Sequence, residues 1–228
     1  MFYNFAPIIL AILGTLVGLS GYYLNARLLW VLVSCVLAIV GLVTGRFIQK
    51  LSLSSHTDFL TGLWNRRYFY LRLDEEETRA TRKKTPLCIA MIDVDGFKKI
   101  NDTYGHAIGD VLLSDLAAIF KKNTRNTDIV TRWGGDEFAI IFVETSLADA
   151  LEITERIRRK VEKTFHASYF LTISAGIIPL EPDQDIKDLL IKADQALYQA
   201  KTQKNWVITV DDMNNGVICR QTCSSDSF

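Results

Sequence analysis

The chain has 228 residues, enough for one well-buried domain and a smaller appendage. Its 26 basic and 26 acidic residues balance overall but not along its length: residues 1–45 carry one charge, Arg27, so residues 46–228 hold 25 basic against 26 acidic groups, a net of −1. That excludes the basic footprint of a protein that binds nucleic acid polymers; the scattered Cys35, Cys88, Cys219 and Cys223 exclude a disulfide framework and suit a reducing cytosol.

Two uncharged runs, 1–26 and 28–45, flank Arg27, and each approaches the ~20 residues needed to cross a bilayer core. They predict a two-helix transmembrane hairpin, with helices near 5–22 and 28–45. Tyr22, Tyr23 and Trp30 lie near its turn, where interfacial aromatics gather. A signal peptide fits less well, because no basic residue precedes the first run and the second follows at once. A buried soluble hairpin fits less well too, because both faces are apolar throughout. Arg46 and Lys50 favour the cytoplasm for the end of the second helix. The expected location is therefore the cytoplasmic (inner) membrane, multi-pass, with membrane lipid as a partner and the rest of the chain in the cytoplasm. Residues 46–57 read as a short linker without a sustained heptad pattern.

The remaining elements follow in order. Residues 65–83 have the apolar spacing of an amphipathic helix. Leu87 to Ile92 is a continuous apolar run ending at Asp93, as in a central buried strand. A helix is expected over 106–122, a hairpin over 128–133 and 137–143, and a helix over 147–165. A strand over 169–178, a helix over 186–203 and a short strand over 206–210 complete the series. Helices alternating with an antiparallel hairpin predict an α/β (α+β) sandwich with a mixed sheet over 58–210. Residues 211–228 read as a polar, loose tail.

Two acidic points stand out. Gly134 and Gly135 give the hairpin turn backbone freedom, and Asp136 and Glu137 are expected together at its tip. Adjacent carboxylates beside apolar strands need a cation, although an ordinary acidic turn has the same composition. Asp93-Val94-Asp95-Gly96 supplies a second acidic strand end. Asp93 and Asp136 on neighbouring strands would clamp metal ions on phosphate oxygens.

At this point the chain resembles the GGDEF diguanylate cyclase family. The resemblance rests on Gly134-Gly135-Asp136-Glu137-Phe138 and on three flanking motifs: Asp58 through Arg67, Asp93 through Asp110, and Ala193-Asp194 through Lys201. It covers about 56–210 and implies a palm-like, ferredoxin-related domain. It also implies the condensation of two GTP into cyclic di-GMP with release of two pyrophosphates. The cofactor would be Mg²⁺, or Mn²⁺ in its place, and the active form a homodimer.

Carried over residue by residue, the resemblance makes Asp93, Asp136 and the Val94 carbonyl metal ligands. Glu137 would ligate metal or assist proton removal. Gly96, Phe97 and Lys98 would surround the β- and γ-phosphates, with Lys201 and Lys204. Asn101 and Asp110 would read guanine, whose N1–H and N2–H₂ donors a carboxylate can accept. Arg125 and Asp128 match an RxxD product-inhibition site, with Arg156 as a secondary contact. In one place the chain departs from the family: Lys201-Thr202-Gln203-Lys204-Asn205 is one residue shorter than the usual pattern and lacks its glycine. That shortening keeps an alternative open, a catalytically silent domain acting as a GTP or cyclic di-GMP receptor or scaffold.

Overall fold

The computed structural model describes residues 11–18, 26–54, 56–181 and 184–214. The chain divides into two units, Met1–Ser55 and His56–Phe228.

In the first unit residues 11–18 are helical (α1), and α2 spans Ala26–Ser54. Leu28–Gly45 has mean hydropathy 2.5 and none of it is buried. Among the described residues it alone is long and apolar enough to cross a membrane. The other arm of the expected hairpin falls largely outside the described residues; within it, Ile12, Leu13 and Leu16 are exposed. Over the residues expected as a linker, α2 continues past Gly45 to Ser54. Nothing in Arg46–Ser54 stops a helix, since the stretch contains neither proline nor glycine.

The second unit holds β1 (Trp64–Asn65), α3 (Arg66–Lys83), β2 (Leu87–Asp95), α4 (Phe97–Tyr104), α5 (His106–Asn123), β3 (Ile129–Gly134), β4 (Glu137–Val143), α6 (Leu147–Tyr169), β5 (Thr172–Pro179), α7 (Ile186–Gln203), β6 (Val207–Thr209) and α8 (Val210–Asn214). The sheet order is β1-β3-β4-β2-β5-β6. β2 lies antiparallel to β4 and β5, and β3 antiparallel to β4, while β1 and β6 add parallel edges. The sheet is thus mixed, as expected, with an antiparallel centre.

Every residue of β2 is buried, and strand alternation divides its side chains between two layers. Cys88, Ala90, Ile92 and Val94 enter one core with residues of α5 and α6. Leu87, Ile89 and Met91 enter the other with residues of α3 and α7. Local signals set the helix ends. Asn65 Oδ1 accepts from the Tyr68 N–H at 3.0 Å and caps α3; Asp185 Oδ1 accepts from the Lys187 N–H at 2.9 Å and caps α7. α7 lies close against β5 because Gly176 has no side chain: a Cβ there would fall 2.4 Å from Leu197 N and 2.8 Å from the Ala193 carbonyl. This contact fixes where the end of α7 reaches the sheet.

Three elements differ from expectation. α4 forms between Gly96 and Gly105, where the sequence shows only a turn. α6 continues to Tyr169, so β5 begins later, at Thr172. The expected tail begins as α8, whose Met213 packs on the second core. The rest of the tail, with Cys219 and Cys223, lies outside the described residues.

Candidate active site

β2 and β4 bring the two acidic points together. Asp93 is the register partner of Glu137 on one side and of Ser174 on the other. The Val94 N–H donates to the Asp136 carbonyl at 3.2 Å. Only Asp136 sits in the turn; Glu137 begins β4 and pairs with Gly134. The turn is tighter than expected because Gly135 adopts φ +49°, a conformation that favours glycine.

Asp93 is 6% exposed, and Lys201 Nζ lies 2.7 Å from its Oδ2. Burial raises the Asp93 carboxyl pKa, the Lys201 ammonium draws it down, and the charges of Asp136 and Glu137 push it up again, to about 6. A site that crowds carboxylates in this way favours a cation. Among the described residues no three His, Cys, Asp or Glu side chains close around one point. Mg²⁺ does not need that: it takes one or two carboxylates plus substrate phosphates and waters rather than an all-protein cage. Asp93, Asp136 and the Val94 carbonyl fit such a donor set.

Arg132 holds the turn, a role the sequence reading missed. Its Nε and Nη2 donate to the Gly135 carbonyl at 3.0 and 2.8 Å, and its Nη1 pairs with Asp58 Oδ1 at 3.1 Å. Asp58 also accepts from the Thr61 N–H and hydroxyl at 2.9 and 2.7 Å. Partial burial would raise the Asp58 pKa, but the Thr61 and Arg132 hydrogen bonds hold it below the ordinary value. The flanking Asp58 motif is thereby tied to the acidic turn. An arginine inside the strand leading to that turn was the available signal.

On the α4–α5 side, Gly96 turns the chain at φ +71° into α4; Phe97 is buried and Lys98 exposed. Asn101 Oδ1 is buried without a hydrogen-bond partner. A Cβ on Gly109 would lie 2.0 Å from it, so this glycine lets α5 close against α4. Asp110 follows, exposed. An unpaired buried acceptor beside an exposed carboxylate suits a ligand rich in N–H donors. Lys204 caps the end of α7 at φ +58° and lines a cavity of about 360 Å³ with Gly96, Lys99 and Tyr104.

The RxxD residues also come together. The Arg125 N–H donates to Asp128 Oδ2 at 2.8 Å. Asp128 is buried, which raises its pKa, and its Oδ1 lacks a partner. Arg125 and Arg156 share a cavity of about 200 Å³, where Arg156 Nη2 donates to the Asn123 carbonyl at 2.9 Å. Arg125 and Asp128 line a second cavity of about 460 Å³ with Lys121 and Trp64.

Comparisons with known proteins bear on the family and the fold. A family model described as "Diguanylate cyclase, GGDEF domain" matches residues 55–206. The response regulator PleD of Caulobacter vibrioides is 45% identical over 152 residues, covering 64% of this chain and 34% of PleD. Diguanylate cyclase A of Treponema denticola is 39% identical over 166 residues, covering 69% of this chain and 45% of that protein. The chain thus spans less than half the length of these curated relatives. The solved GGDEF domain of DgcB from Caulobacter crescentus, in complex with c-di-GMP, superposes with TM-score 0.66 at 30% identity, covering 69% of this chain and 97% of that one.

Proposed function

The chain belongs to the diguanylate cyclase, GGDEF-domain family, and on that premise we propose that it condenses two GTP into cyclic di-GMP with release of two pyrophosphates. The observation that carries this reading is the pairing of Asp93 with Glu137, with Asp136 bound through its carbonyl to Val94.

Asn101 and Asp110 hold the guanine edge of one GTP, and Gly96, Phe97, Lys98, Lys201 and Lys204 receive its phosphates. Asp93, Asp136 and the Val94 carbonyl would hold Mg²⁺, or Mn²⁺ in its place. When bound, the metal offsets triphosphate charge and favours the attacking hydroxyl as alkoxide. Glu137 accepts the 3′-hydroxyl proton. A bond forms from that oxygen to the α-phosphorus of the opposite nucleotide, and pyrophosphate leaves with the electrons of the bond that breaks. Lys201 must then exchange Asp93 for phosphate, an exchange within reach of its long flexible stem.

One domain holds one GTP, so two copies face each other as a homodimer. Product inhibition acts through Arg125, Asp128 and Arg156: arginines pair with phosphate, and Asp128 accepts from guanine. The apolar span in α2 anchors the chain in the cytoplasmic membrane.

The test is the full chain in detergent with GTP and Mg²⁺, assayed for cyclic di-GMP by mass. We expect product from wild type and none from Asp136→Ala. Product retained in the variant would remove Asp136 from the metal site. Wild type that binds GTP but yields no product would leave a receptor or scaffold.

A further inference from the structure

The segment that departs from the family pattern, Lys201–Asn205, is held at both ends by one strand. At its start Lys201 Nζ pairs with Asp93 Oδ2 at 2.7 Å. At its end the Asn205 N–H donates to Asp95 Oδ2 at 2.8 Å. Asp93 and Asp95 stand two apart on β2 and therefore share a face. The buried Asp95 carboxylate has partners on both oxygens: it also accepts from Thr172 Oγ1 and Ser174 Oγ, each at 2.7 Å.

The Asn205 side chain is fixed in turn by α6. Arg158 Nη1 donates to its Oδ1 at 2.7 Å, and its Nδ2 donates to Glu162 Oε1 at 2.8 Å. Arg158 Nη1 also reaches Glu162 Oε2 at 3.1 Å, and Arg158 forms a further ion pair with Glu155 at 3.1 Å. Lys204 and Asn205 both take positive φ, +58° and +50°, a strained choice for residues with a Cβ. This conformation needs outside support, and the Arg158–Asn205–Asp95 chain supplies it.

We propose that Asn205, clamped by Arg158 and Glu162, is a positioning residue that sets Lys201 against Asp93 for the nucleotide. The proposal rests on the nucleotide reading of Lys201 given above. Asn205 touches no reacting atom; it fixes the end of α7, and Lys201 extends from the last turn of that helix. α6 is thereby linked to the active site through the Asn205 side chain and backbone N–H.

The test exploits the polarity of the clamp. Asn205→Asp turns an N–H donor into an oxygen facing Glu162, while keeping the acceptor for Arg158. Glu162→Gln can then donate to the new carboxylate and restore the contact. With full-length chain in detergent, binding of a fluorescent GTP analogue with Mg²⁺ and cyclic di-GMP formation are both measured. Asn205→Asp should lower affinity and kcat/KM about tenfold, a coupling ordinary for residues in one network, and the double variant should recover most of it. In a Lys201→Ala background, Asn205→Asp should have little further effect. An equal loss in that background, or no recovery by Glu162→Gln, would overturn the proposal. If wild type binds the analogue but forms no product, the enzyme reading fails and the affinity cycle alone judges the clamp. If wild type does neither, both fail.

Discussion

Asp128 directs one carboxylate oxygen to the Arg125 amide and leaves the other buried without a donor. Such an oxygen costs on the order of 1–3 kcal/mol, and a proton relieves part of that cost. Burial raises the Asp128 pKa above its ordinary 3.8, against the opposing pulls of Arg125 and of the Val143 backbone N–H. The folded chain then holds this proton more tightly than the unfolded chain does. The stability so gained is fully present below 3.8 and is lost as pH rises through the raised folded value. Asp128→Asn carries an amide that does not titrate. Wild type should therefore lose melting temperature relative to this variant as pH rises across that interval. Parallel melting profiles would mean that Asp128 is solvated or paired in solution.

α7 depends on Gly176 for its approach to β5, and the approach is too close to share with a methyl group. A Cβ at Gly176 would meet backbone atoms, Leu197 N at 2.4 Å and the Ala193 carbonyl at 2.8 Å, which cannot rotate away. Gly176→Ala should cost about 1–3 kcal/mol by overpacking, and it should weaken GTP binding because displacing α7 carries Lys201 away from Asp93. Denaturant melts and GTP titration of one variant check both effects; unchanged stability would mean that the helix shifts freely. The elements that were legible in the sequence were those whose own periodicity defines them. β2 is a continuous apolar run, and α5 and α7 carry apolar residues at helical spacing. β1 was not legible, because its two residues count as a strand only through pairing with Thr131 and Arg132. α4 was hidden because eight residues between two glycines resemble a loop. The acidic residues of the site were legible because carboxylates at strand ends have a recognisable chemistry. Their supports were not: Arg132 reaches Asp58, and Asp95 reaches Asn205, across separations that no local pattern encodes.

Residues 56–228 contain both hydrophobic layers of the second unit, so this fragment should fold without α2. The proposed reaction needs two such domains face to face, and each brings one nucleotide. For the isolated fragment their meeting is bimolecular, so its specific activity should rise with protein concentration. The full chain differs if the apolar span of Leu28–Gly45 sits in a bilayer. Confinement to a surface, together with helix contacts there, raises the effective concentration of one domain near another. Over the same dilution series the full chain in vesicles should keep a nearly constant rate per mole. Fragment activity that stays flat on dilution would move the dimer contact into the second unit and leave the helix as an anchor only. A full chain whose activity falls on dilution as steeply as the fragment's would mean that the membrane segment contributes nothing to pairing.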